Sequence, residues 1–92
     1  MPGYYRNKED LLGRLRKIEG QVRGLERMLS DDTYCIDILT QISAVNSGLK
    51  KVAVQLLDDH IRNCVAESIS AGGDVEAKLT EATTAVDRLL KS

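Results

Sequence analysis

The stretch DDHIRNC, residues 58–64, sets His60, the chain's one histidine, four positions before Cys64, one of its two cysteines. On a helix, residues four apart stand one above the other on a single face. Imidazole and thiolate together are donors for soft or borderline metal ions. Two donors do not complete a site, and the other cysteine is Cys35. Along a straight helix Cys35 and His60 are about 37 Å apart at 1.5 Å per residue, so one chain cannot unite the three. Two chains can. The midpoint between position 35 and the 60/64 pair falls beside Gly48. Two copies crossing antiparallel there set Cys35 of one against His60 and Cys64 of the other. A twofold axis then generates two sites, each with two sulfurs and one nitrogen. That donor set suits trigonal Cu(I), whereas structural Zn(II) asks for a fourth ligand. The competing reading keeps the cysteines as small packed hydrophobes and His60 as a hydrogen-bonded or solvated helix residue. Spacing alone leaves both readings open.

Such residues need a long helix to hold them, and the pattern predicts one among three. The first runs from about residue 8 to 29, with Asn7 as N-cap and Asp10 as its capping-box acid. Leu11, Leu15, Ile18, Val22, Leu25 and Leu29 recur within it at alternating fours and threes. Gly20 and Gly24 interrupt good helix formers, which predicts a close helix crossing as compensation. SDD at 30–32 ends this helix, with Asp32 as the expected cap of the next. From Thr33 to about Ser70 there is no proline and one glycine, Gly48. Ile38, Val45 and Val52 recur by sevens there, as do Ile42, Leu49 and Leu56. Such a helix is roughly 57 Å long and cannot bury its apolar stripes against its own short neighbours, which predicts a dimer. Gly72 and Gly73 stop it, and Asp74 caps a third helix whose face is Val75, Leu79, Ala82, Val86 and Leu89.

The 92 residues allow a single domain, 1–92, with one modest core. The 42% apolar content contains no Phe or Trp, which gives thin aliphatic seams rather than a broad core. Neither a membrane span nor an apolar leader is visible, so the expectation is a cytoplasmic protein with reduced thiols. The net charge of −1 is unevenly spread: residues 1–30 carry seven Lys/Arg against four Asp/Glu, and residues 31–49 carry three Asp and no base. A basic face is therefore compatible with an acidic total.

Over essentially its whole length the chain resembles the copper-sensing repressors of the CsoR family. The resemblance rests on LLGRLRKIEGQVRGLERML in the first helix, YC at 34–35, LTQISAVNSGLKKV in the middle, and DDHIRNC. It implies an all-α protein: three-helix protomers with a very long central helix, antiparallel dimers, and a flat tetramer. Function would be repression by operator DNA binding until Cu(I) binds and releases the DNA. The implied ligands are Cys35 of one subunit with His60 and Cys64 of the other. Related nickel or cobalt sensors add an N-terminal histidine, which is missing here, and persulfide sensors lack the histidine that is present as His60. Tyr34 matches a tyrosine that supports the copper site from outside the ligand set, and Glu81 best matches a third-helix glutamate in the same role, with Glu76 as the alternative. Such groups take the second ring proton of a ligating histidine.

For DNA, Arg14, Arg16, Lys17, Arg23 and Arg27 lie on the first helix, and Lys50 and Lys51 at the middle of the second. Lysines and arginines attract backbone phosphates, though each is also a plausible solvated helix charge. The resemblance points to Arg14 and Lys50/Lys51 for operator contact, and Gln21 lies in the same GQVRG segment. A copper buffer and a helical assembly module are the rival functions. An enzyme is not indicated, since no catalytic dyad or pocket signature is present and one histidine leaves little acid–base machinery.

Overall fold

A computed structural model describes residues 7–91, and of Cys64 and Val65 only the backbone. Its helices are α1 (Lys8–Ser30), α2 (Cys35–Asp59), α3 (Ala66–Ser70) and α4 (Val75–Lys91), with a π-helical segment, His60–Val65, between α2 and α3. No strand occurs among the described residues. Because α2, the π segment and α3 follow without a break, the protomer has the three expected helices. One correction concerns the central one. It is not a uniform α-helix: its backbone changes to i→i+5 pairing across HIRNCV. Among these helices none is long and apolar enough to cross a membrane.

The helix ends follow from local hydrogen bonding. After α1, Thr33 N–H donates to the Met28 carbonyl at 3.0 Å and Asp32 N–H to that of Leu29 at 3.2 Å. This is a Schellman ending, which requires a left-handed residue, and Asp32 supplies it at φ 56°. Asp32 is therefore not the cap of the second helix. That helix begins at Cys35, where the Tyr34 carbonyl accepts from the N–H groups of Asp37 and Ile38 at 3.0 and 3.3 Å. After α3 the same motif recurs, with Gly73 N–H to Ser68 at 2.7 Å, Gly72 N–H to Ile69 at 3.4 Å, and Gly72 at φ 72°. Asp74 then caps α4 as expected, its Oδ1 accepting from Ala77 N–H at 3.0 Å. The capping box before α1 does not form. Asn7, at φ −108° and ψ 11°, makes no side-chain cap, and Asp10 pairs with Arg14 Nε at 3.1 Å instead.

Contacts gather the chain into two compact units, Asn7–Val54 and, among the described residues, 55–91. In the first, Leu11 and Ile18 of α1 and Val45 and Val52 of α2 form the buried cluster, with Leu25 packed against it. Gly48 lies under Ile18, whose Cδ1 and Cγ1 would both be 3.3 Å from a Cβ at that position. The Gly48 side of α2 is thus occupied by the chain's own α1. A crossing with a second copy would have to use another side, and Ile42, Leu49 and Leu56 lie exposed there. Among the described residues Gly20 and Gly24 meet no close crossing: a Cβ on Gly20 would meet nothing within 4 Å, and one on Gly24 only the tip of Arg27 at 3.9 Å. In the second unit Ala82 is buried, and so is a charged group, Asp59.

Candidate metal centre

His60 is the first residue of the π segment and Cys64 the fifth. Both therefore lie where the helix has changed its hydrogen-bond register, a local feature that recurs at functional sites. The His60 side chain is 24% exposed, and its Nε2 faces Oε1 of Glu81 on α4 at 3.5 Å. That separation is too long for a good hydrogen bond, and Nε2 is buried without a hydrogen-bond partner. Were His60 to ligate through Nδ1, Glu81 would stand on the side of its other ring nitrogen. Glu76, the alternative acid, is in the first turn of α4 and exposed, with no ion pair among the described residues. The Cys64 side chain lies outside the described residues.

Cys35 opens α2 with a free, exposed thiol, and Tyr34 just before it is also exposed. They belong to the Asn7–Val54 unit, and His60 and Glu81 to the other. Among the described residues no three His, Cys, Asp or Glu side chains gather into a metal cluster. Thus within one chain the structure brings together His60 and Glu81 from the expected set.

Two carboxylates missed in the sequence flank this centre. Asp59, the last residue of α2, is buried, and its Oδ1 accepts from Gln55 Nε2 at 3.0 Å. Asp58 is exposed, and both its oxygens accept from Arg62 Nε at 3.0 Å. A signal was present in DDHIRNC, where two acids immediately precede the histidine. Only burial distinguishes them, and burial is not legible in an acidic pair.

The candidate DNA contacts are all exposed. Arg14 pairs with Asp10 and Arg23 with Glu19, each four residues back along α1. Such exposed pairs contribute a few tenths of a kcal/mol, roughly, so a phosphate can displace the carboxylate. Arg16, Lys17, Lys50 and Lys51 have no ion pair among the described residues. At about 100° per residue, Arg14, Lys17 and Gln21 share one flank of α1, while Arg16 and Arg23 fall on the far side. One duplex cannot meet all five on a straight helix.

The chain matches the family model described as metal-sensitive transcriptional repressor over residues 7–88. It is 50% identical to the copper-sensing transcriptional repressor RicR of Mycobacterium tuberculosis, covering 98% of this chain and 95% of that protein. With the copper-sensing repressor CsoR of Bacillus subtilis it shares 45% identity over 95% of this chain and 85% of the relative. Among solved structures it is similar to the copper-sensing repressor CsoR with Cu(I) from Geobacillus thermodenitrificans, at a TM-score of 0.86 and 42% identity over 92% of this chain and 88% of that one. The nickel-responsive regulator InrS aligns at a TM-score of 0.76 and 36% identity, covering 88% of this chain and 90% of that one. With these likenesses across nearly its full length, the chain belongs to the metal-sensitive transcriptional repressors, the family of CsoR.

Proposed function

We infer that this protein is a Cu(I)-responsive transcriptional repressor that binds operator DNA when copper-free and releases it when Cu(I) binds. The carrying observation is the likeness, over almost the entire chain, to repressors that sense copper and to a CsoR solved with Cu(I). The donor set agrees with it. Cys35, His60 and Cys64 offer two thiolates and one imidazole, which a soft monovalent ion accepts in three-coordination. The orphaned, buried Nε2 beside Glu81 is what a histidine would show if Nδ1 were its ligating atom. Tyr34 would support the same centre from beside Cys35.

The site is proposed to form between copies, with Cys35 of one protomer and His60 and Cys64 of its partner. The exposed stripe Ile42, Leu49 and Leu56 supports antiparallel pairing of the central helices, because large apolar side chains spaced by sevens bury efficiently against a like helix. Pairing of dimers into a tetramer would repeat the basic surface, so several moderate phosphate contacts would sum to tight binding. On that surface Arg14, Lys17 and Gln21, with Lys50 and Lys51, form the proposed operator contact; Arg16 and Arg23 would touch DNA only if it wraps further round α1. The protein so described acts in the cytoplasm by binding, not by catalysis, as one metal-sensing and DNA-binding domain.

Release would follow if the filled site fixes the crossing of the central helices and carries Arg14 and Lys50/Lys51 off phosphate spacing. Linkage makes this coupling reciprocal, so bound operator weakens Cu(I) binding by the same factor. Anaerobic titration of reduced protein with Cu(I), followed by fluorescence anisotropy of labelled DNA from its own upstream region, tests the reading. Loss of binding near one Cu(I) per protomer, with Cys35→Ala staying on the DNA, is the expected result. DNA binding indifferent to bound copper would overturn it.

A further inference from the structure

Asp59 is a charged side chain that a helical protein of this size has little reason to bury. It is 4% exposed and is the one buried charged residue among the described residues. A carboxylate taken from water destabilises the fold unless its oxygens are satisfied. Gln55 satisfies Oδ1 from one turn back, at 3.0 Å. Neighbouring Asp58 differs in every respect. It is half exposed, and it reaches forward to Arg62, whose own side chain is 75% exposed. The two acids therefore bracket one point in the backbone. Asp59 is the last residue with α-helical pairing and His60 the first of the π segment.

That point matters geometrically. Changing from i→i+4 to i→i+5 pairing rotates every later side chain relative to every earlier one. Where the change takes place decides the direction of His60, and with it whether Nε2 meets Glu81. We propose that Asp59, held by Gln55, is a positioning residue that fixes the start of the π segment and so aims His60 as a metal ligand. This rests on the Cu(I) reading above. Asp59 does not itself ligate in this scheme; it acts through the backbone register and the rotamer of the residue that follows. Asp58 has no such part, because an exposed i,i+4 pair contributes little.

The test is Cu(I) affinity by competition with a chromophoric chelator, combined with X-ray absorption of the bound copper, on full-length anaerobic protein. Wild type, Asp59→Ala, Asp59→Asn, Gln55→Met and Asp58→Ala are compared, each checked for helicity and for copper-free operator binding. Asp59→Ala is expected to lose roughly 10- to 100-fold in affinity, the scale of supporting groups at metal sites, and to lose the nitrogen scatterer while keeping operator binding. Asp59→Asn keeps an acceptor for Gln55 and recovers most of the affinity, and Asp58→Ala matches wild type. Gln55→Met removes one of the groups that hold Asp59 and is expected to fall in the same direction as Asp59→Ala, by less, so it keeps the test open if Asp59→Ala does not fold. Wild-type affinity and coordination in both Asp59→Ala and Gln55→Met would overturn the positioning role alone. Failure of the wild type to bind Cu(I) would overturn the functional reading and this inference with it.

Discussion

Val45 and Val52 of α2 are buried against Leu11 and Ile18 of α1, and Ile38 is half-covered on the same stripe. Ile42, Leu49 and Leu56 repeat the same seven-residue spacing on the same helix, yet remain 38, 44 and 37% exposed. The two stripes are alike in apolarity and periodicity, and differ in whether the described residues cover them. Periodicity therefore says that a helix face wants burial, and does not say by whom. The first stripe is a question of folding and the second, on the proposed pairing, one of assembly, which would separate their mutational effects.

Placing a carboxylate on each stripe gives the largest contrast. Val45→Asp buries an unpaired charge and is expected to destabilise by several kcal/mol, on the order of the whole stability of so small a domain. Loss of far-UV helicity at ambient temperature is the measurement. Leu49→Asp is expected to keep helicity while sedimentation shows dissociation towards the 10.2 kDa protomer. Unfolding of Leu49→Asp would mean that the protomer has no stable fold apart from its partner, and the division between the stripes would then fail.

Glycines sharpen the contrast at a smaller scale. Gly48 is where Ile18 sits 3.3 Å from a would-be Cβ, whereas Gly20 meets nothing within 4 Å. Ala in place of Gly in a helix interior is worth about 1 kcal/mol by propensity, and Gly20→Ala should show that gain as a raised denaturation midpoint. Gly48→Ala should forfeit it, because Ile18 is buried and must shift. Gly48→Leu should destabilise by about 1–3 kcal/mol from overpacking. If Gly20→Ala gains stability but weakens operator binding, the open glycine surface of α1 lies against the DNA; if it does neither, helix propensity there is overridden by assembly.

These residues also show which parts of the molecule the sequence made legible. Gly72 and Gly73 marked a helix end and Asp74 a helix start, because the chemistry of turns is local and a few adjacent residues carry all of it. The leucine and valine repeats marked helices for a similar reason. The π segment had no such mark. HIRNCV contains neither Pro nor Gly, and a register change of one residue leaves an i,i+4 pair looking like any other. Asp59 was equally hidden, since an acid beside another acid ordinarily reads as surface. His60, Cys64 and Cys35 stood out by rarity, which marks candidate donors without giving their geometry. The facing of Glu81 to His60 depends on where the third helix lies, a matter of tertiary packing that only coordinates supply.

Asp32 and Gly72 provide the finest comparison, because they hold the same place in two copies of one motif. Each is the left-handed residue of a Schellman ending, at φ 56° and φ 72°, flanked by the same pair of backbone hydrogen bonds. Glycine enters that region without steric cost, and an aspartate tolerates it better than most residues but not freely. Asp32→Gly should therefore stabilise by less than about 1 kcal/mol, and Gly72→Ala should destabilise by roughly 1–2 kcal/mol. Both are read as shifts in urea midpoint at one fixed protein concentration, which removes any contribution from self-association. If Asp32→Gly gains nothing, the aspartate side chain must stabilise the turn beyond the two backbone bonds, and the two loops would share a backbone path without sharing the reason for it.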